Sequence, residues 1–223
     1  MKNVINSGVI VFAVGLLAAQ TARSQGTVYV SNLAQPSSGS LAVGTDLWVA
    51  DEFMTGNNPG GYALDSVQLA MAPASGAPNG FAVMLYSQHQ PALGLEPGGG
   101  LGTLMGSTDP VIGGIYTYTA SGMMLAPSTS YFIVATAGTP VASGAYAWSV
   151  ENTSFPSSSG GWSTTVLAFN SSDGLSWAGP AVDDVQFALT ATAVPEPDTL
   201  YLLGLPGLLF FAWRRWHTKA QAR

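Results

Sequence analysis

The sequence predicts an all-β domain, an antiparallel β-sandwich of jelly-roll type, flanked by an N-terminal signal helix and a C-terminal transmembrane-like helix. Three observations carry this reading. Short segments rich in β-branched and aromatic residues alternate with clusters of Gly, Pro, Ser and Asn. No long helical period lies between the two ends of the 223-residue chain. Charged residues are only 8% of the composition, a balance ordinary for secreted β domains and unusual for a cytosolic enzyme. A closed barrel is the alternative arrangement for this many strands.

The first 24 residues read as a signal peptide. Lys2 supplies a short positive start, Val9 to Ala19 an apolar stretch, and Ala22 and Ser24 the small residues at −3 and −1 for cleavage before Gln25. Residues 25–193 then form one domain, large enough to bury a core without disulfides, which the absence of Cys rules out in any case.

Within that domain the expected strands are 27–33, 47–53, 62–71, 81–87, 114–120, 131–137, 146–152, 164–170 and 185–192. NNPGG, PASGAPNG, LEPGGG, DPVIGG, FPSSSGG and SSDG read as the turns between them. In VQFALTAT, Val185, Phe187 and Leu189 take one face and Gln186 and Thr190 the other. FAVMLYS and YFIVATA are apolar on both faces, the pattern of central strands covered on both sides. In LWVADEF, an inward Leu47, Val49 and Phe53 would turn Trp48 outward, near Glu52. The same register buries Asp51, which then needs a bulge or a partner.

Charge is distributed with unusual asymmetry. All six basic residues, Lys2, Arg23, Arg214, Arg215, Lys219 and Arg223, lie in the ends. The domain itself carries ten acids and no Lys or Arg, a formal charge of −10. It cannot form a Lys or Arg salt bridge internally, and it repels nucleic acid and anionic lipid, so nucleic-acid binding is excluded.

Residues 194–223 close the chain. Leu200 to Trp213 is uncharged, and as a helix of 14 residues it would span about 21 Å against a hydrocarbon core of about 30 Å. Pro206 and Gly207 interrupt it. It is marginal as a lasting anchor and adequate as a transient one, with Arg214, Arg215 and Lys219 favouring the cytoplasmic side. The order Val194-Pro195-Glu196-Pro197, apolar run, Arg214-Arg215 resembles the PEP-CTERM sorting signal of Gram-negative bacteria. That resemblance implies recognition by exosortase, a membrane-embedded cysteine transpeptidase-like enzyme. It further implies removal of the tail, and release or surface attachment alongside exopolysaccharide. Trp216 and His217 break the basic cluster and the tail runs on to Arg223, departures that bear on processing efficiency and leave the address intact. FMTGNNPGGYALDSVQLAM, FAVMLYS, IYTYTASGMMLAPSTSYFIVATA and YAWSVENTS resemble the choice-of-anchor R domain, which implies a surface domain of unassigned activity.

Chemistry is sparse. His89 is the only histidine outside the tail, there is no thiol and no Gly-x-Ser-x-Gly elbow, so a nucleophilic triad lacks its parts. Asp183-Asp184 and Asp51-Glu52 are sequence neighbours and in extended chain point to opposite faces, which does not suit a glycosidase pair. A long-range pair such as Asp46 with Asp184 is open at this level. Calcium is the one metal the composition suits, with Asp173, Asp183 and Asp184 the candidate ligands around NSSDG. Trp48, Trp162 and Trp177 are the candidate glycan contacts, because sugar C–H faces stack on indoles. The expectation is a non-enzymatic surface or exopolysaccharide-matrix protein, with a glycan-binding module of the same architecture as the alternative.

Overall fold

The computed structural model describes residues 26–90, 95–106, 108–151, 157–179 and 184–195. The expected signal helix and transmembrane-like helix fall outside these residues. Among the described residues no helix is long and apolar enough to cross a membrane. The described chain is all-β, with one short 3₁₀ turn at Val141–Ser143.

Fourteen strands follow in order. They are β1 (Thr27–Ser31), β2 (Gly39–Val43), β3 (Trp48–Met54), β4 (Tyr62–Gly76), β5 (Ala82–His89), β6 (Glu96–Gly106) and β7 (Gly114–Thr119). The second half comprises β8 (Met124–Leu125), β9 (Ser130–Thr136), β10 (Gly144–Glu151), β11 (Ser157–Ser158), β12 (Ser163–Ser171), β13 (Asp184–Val185) and β14 (Phe187–Ala193). All pairings are antiparallel, in the order β11-β1-β14-β4-β7-β6-β5-β9-β3-β12, with β10 joined to β4, β2 and β13.

The expected sandwich is therefore refined to a nearly closed antiparallel sheet whose two layers are continuous. β6 makes the connection. Its first part pairs with β5 in one layer, and Met105 and Gly106 pair with Thr119 and Tyr118 of β7 in the other. This corrects the reading of LEPGGG as a turn. The glycines of β6 make room for side chains from elsewhere. A Cβ on Gly100 would press on the Tyr86 ring at 3.3 Å, one on Gly102 would meet the Met123 methyl at 2.6 Å, and one on Gly106 would overlap the Tyr118 ring. Glycine is a poor strand former in isolation and the residue of choice where a strand bends against large neighbours.

One core fills the space between the layers. Val49, Phe53, Val83, Leu85 and Ile133 come from one side; Val67, Leu69, Tyr146, Trp148, Phe187 and Leu189 come from the other. β9 is buried along its whole length, as its two-sided apolar pattern anticipates. Its inner face meets this core, and its outer residues Phe132 and Val134 form a second small cluster with Ala50. Some polar atoms in the core find single partners: Trp148 Nε1 donates to the Gln186 carbonyl at 3.0 Å, and the Tyr131 hydroxyl accepts from the Ala126 amide at 2.9 Å.

Trp162 sits in an aromatic stack at one end of this core. Its ring lies between Tyr29, 4.7 Å away at 13°, and Phe53, 5.7 Å away at 3°, with Tyr62 edge-on at 5.0 Å. Gly160, at φ +60°, turns the chain into place where a Cβ would meet the Tyr29 ring at 2.9 Å. Truncation of Trp162 to Ala would empty the centre of this stack. We expect Trp162→Ala to lower the unfolding free energy by about 3–5 kcal/mol, read from urea denaturation of the purified domain.

Candidate functional site

The sorting signal leaves the domain with no intervening linker. β14 pairs with β4 to its last residues, Thr192 opposite Ala63 and Ala193 opposite Tyr62. The Val194 amide then donates to the Gly61 carbonyl at 3.0 Å, extending the ladder by one bond. Pro195, without an N–H, ends it.

The loop between β3 and β4 grips this exit. Asn58 Nδ2 donates to the carbonyls of Gly61 at 2.6 Å and Val194 at 2.9 Å, and the Asn58 amide donates to the Tyr62 hydroxyl at 3.2 Å. Gly61 adopts φ +72° and donates to the Asn58 carbonyl at 2.8 Å, closing the turn. A Cβ on Gly60 would collide with the Val194 carbonyl. NNPGG thus supplies the side-chain donor, the φ and the clearance that hold the root of the tail. Of the sorting motif, Val194 is half-buried in this grip and Pro195 is exposed; Glu196, Pro197, Arg214, Arg215 and Lys219 lie outside the described residues, as do Ala22, Ser24 and Gln25.

A second polar constellation lies in the core. Asp51 (0% exposed) on β3, Glu151 (1%) at the end of β10 and Asp184 (3%) on β13 are all buried. The register puts Trp48 half-exposed on the outer face and Asp51 inward, as the alternation anticipates, and the partner Asp51 needs is Asp184. The Val185 amide donates to Asp51 Oδ2 at 3.3 Å, and Asn32 Nδ2 donates to Asp184 Oδ2 at 3.4 Å and to the Val185 carbonyl at 2.9 Å. Among the described residues Asp51 Oδ1 and Asp184 Oδ1 have no hydrogen-bond partner.

The domain has no Lys or Arg to neutralise this pair. Burial pushes the Asp51 carboxyl well above the usual range, and the Asp184 charge beside it and the hydrogen bond to Asp184 push the same way. Asp184 is also raised by burial and by the Glu151 charge, offset by hydrogen bonds from Asp51 and Asn32. The buried Asp51–Asp184 pair thus disfavours two charges side by side.

The remaining predicted residues are dispersed. Trp162 is 2% exposed, which leaves it no face for a glycan. Trp48 and Trp177 are half-buried against the outer cluster of Ala50, Phe132 and Val134. Gly174 covers the Trp48 ring, where a Cβ would come within 2.6 Å, and Trp177 meets Tyr86 edge-on at 6.3 Å. Asp173 caps its own turn: Oδ1 accepts from the Leu175 amide at 2.8 Å, the Ser176 amide at 3.0 Å and the Ser171 hydroxyl at 3.0 Å. The Ser176 amide, then Leu175 and Ser171, hold its carboxyl below the usual range. Asp173 is exposed, Asp184 is buried and Asp183 lies outside the described residues. Among the described residues no three acids or histidines gather in a metal-holding group. His89 is 63% exposed at the end of β5, 4.0 Å from Glu96.

Two outcomes follow. Asp51, raised above its unfolded value of about 3.9, adds stability in acid that is lost as pH rises through its folded value. Urea midpoints should therefore fall from pH 5 to pH 8, and Asp51→Asn should flatten that slope and raise the midpoint at pH 8. Asn58→Ala should speed hydrogen exchange at the Val194 amide by at least tenfold while leaving β9 amides protected, read by exchange and mass spectrometry.

Comparison with known proteins finds the exit strand and tail to be where a familiar pattern begins. No curated protein matches the chain. Residues 193–215 match the PEP-CTERM protein-sorting motif, from the last residue of β14 to Arg215. The chain thus carries the signal of an exported protein sorted by exosortase to the cell surface, rooted directly on the closing strand of its β domain.

Proposed function

We propose that this is a non-enzymatic surface or exopolysaccharide-matrix protein, exported through the signal peptide at 1–24 and processed by exosortase at its C-terminal tail. The observation that carries this reading is the sorting motif at 193–215, held at its root by Asn58 and Gly61. The apolar run 200–213 holds the chain in the inner membrane for a time, with Arg214, Arg215 and Lys219 on the cytoplasmic side. From Pro195 to Leu200 five residue steps reach at most about 18 Å, so the domain stays close to the membrane until the tail is cut. The likeness of the middle of the chain to choice-of-anchor R domains, which carry varied surface-sorting tails, supports a cargo role.

The second reading is glycan binding by the same domain. The half-buried Trp48, Tyr86 and Trp177 on the outer face of the β3–β9–β5 layer favour it, since indole and phenol rings stack on sugar C–H faces. A calcium role for Asp173, Asp183 and Asp184 stands only as a subsidiary proposal, tested by thermal melts with calcium and with chelator.

Intact-mass spectrometry of native protein from medium and envelope fractions tests the first reading. We expect a species beginning at Gln25 and ending near Pro197, with any attached group visible as added mass. A surface form whose mass includes Arg223 would reject processing.

A further inference from the structure

A cavity of about 160 Å³ opens where the sheet folds from one layer into the other. It is lined by Phe81 at the entry to β5, Thr103 and Leu104 of β6, Thr108 and Asp109 of the following loop, and Tyr118 of β7. Its buried polar end is incomplete, and its other end is an exposed carboxylate. Tyr118 is 3% exposed, and its buried hydroxyl has no hydrogen-bond partner among the described residues. Asp109 Oδ2 accepts from the Tyr146 hydroxyl at 2.8 Å and the Gly80 amide at 3.2 Å. Phe81 forms an aromatic wall, 5.8 Å from Tyr118 and 4.9 Å from Tyr146 between ring centres.

We propose that this cavity is a subsite for one neutral glycosyl unit, with Asp109 and Tyr118 taking a sugar hydroxyl between them and Phe81 facing the ring. The proposal rests on the glycan reading above and moves the contact away from the tryptophans. The exposed Asp109 carboxylate has acceptor sites beyond its two hydrogen bonds, and the unpaired Tyr118 phenol needs an acceptor; a hydroxyl group serves both at once. An ammonium ion satisfies Asp109 and leaves the Tyr118 hydroxyl unmet. An anionic sugar is repelled by Asp109 and by a domain whose ten acids face no Lys or Arg. The hydroxyls of Thr103 and Thr108 at the exposed rim provide further partners of the same kind. Burial raises both the Tyr118 and Tyr146 phenols, and Asp109 raises them further, so each remains a donor at any physiological pH.

The test uses the mature secreted chain and immobilised neutral oligosaccharides of glucose, galactose, mannose and N-acetylglucosamine, followed by calorimetry on any that bind. Tyr118→Phe removes a single buried hydroxyl and Asp109→Asn keeps an acceptor for Tyr146, so both should melt within a few degrees of wild type. We expect each to weaken binding about tenfold or more, the loss of one well-placed hydrogen bond. If wild type binds a neutral glycan and both variants bind equally well, the subsite is wrong while the glycan reading stands. Loss of binding only in Trp48→Ala or Trp177→Ala places the contact on the outer face and also overturns the subsite. Wild-type protein that binds no neutral sugar, or that binds tetramethylammonium in preference, overturns the subsite and the glycan reading together.

Discussion

The constraint on which the structure rests is the absence of any cationic side chain in a domain with ten acids. A buried carboxylate normally survives by pairing with Arg or Lys. Here that solution does not exist, and three acids are nevertheless buried together. The domain meets the demand with backbone amides, with the Asn32 side chain and with an Asp51 carboxyl that burial pushes toward its neutral form. Asn32 also accepts from the Phe187 amide at 2.7 Å, so one uncharged side chain ties the acid pair to the start of the closing strand. Stability therefore falls on apolar burial, and the aromatic stack around Trp162 and the single core between the layers carry it.

Continuity of the sheet follows from the same economy. A two-layered fold stabilised by packing alone gains from having few free edges. β6 removes one pair of them by passing from one layer to the other, and it does so through glycines that yield space to Tyr86, Met123 and Tyr118. The corner so formed is also where the cavity beside Asp109 opens, because a bending strand cannot fill its own inner angle.

The address and the fold meet at Ala193 and Val194. Val194 belongs to the sorting motif and to the β14–β4 ladder, and Asn58 holds it from a loop more than a hundred residues earlier in the chain. The position of the motif is thus a product of the completed sheet. Pro195, which lacks an N–H, then ends the ladder.

Local chemistry was enough to establish part of this. Strand segments such as YFIVATA and VQFALTAT declare themselves by pattern, because the period of two is a property of the backbone itself. The inward Asp51 and outward Trp48 follow from that period once the apolar Val49 and Phe53 are set inward, and the sorting motif is a contiguous string that needs no fold to be read. What escaped were features defined by partners distant in sequence. LEPGGG looks like a turn until Tyr86 and Met123 occupy the space its glycines leave, and Trp162 looks like a surface ring until Tyr29 and Phe53 close on it. Asp51 and Asp184 come to lie together in the core, and Asn58 gains its hold on Val194, only when strands far apart in the chain are brought side by side. Periodicity and motif are written along one strand, whereas burial, acid pairs and cavities are decided by which strands meet.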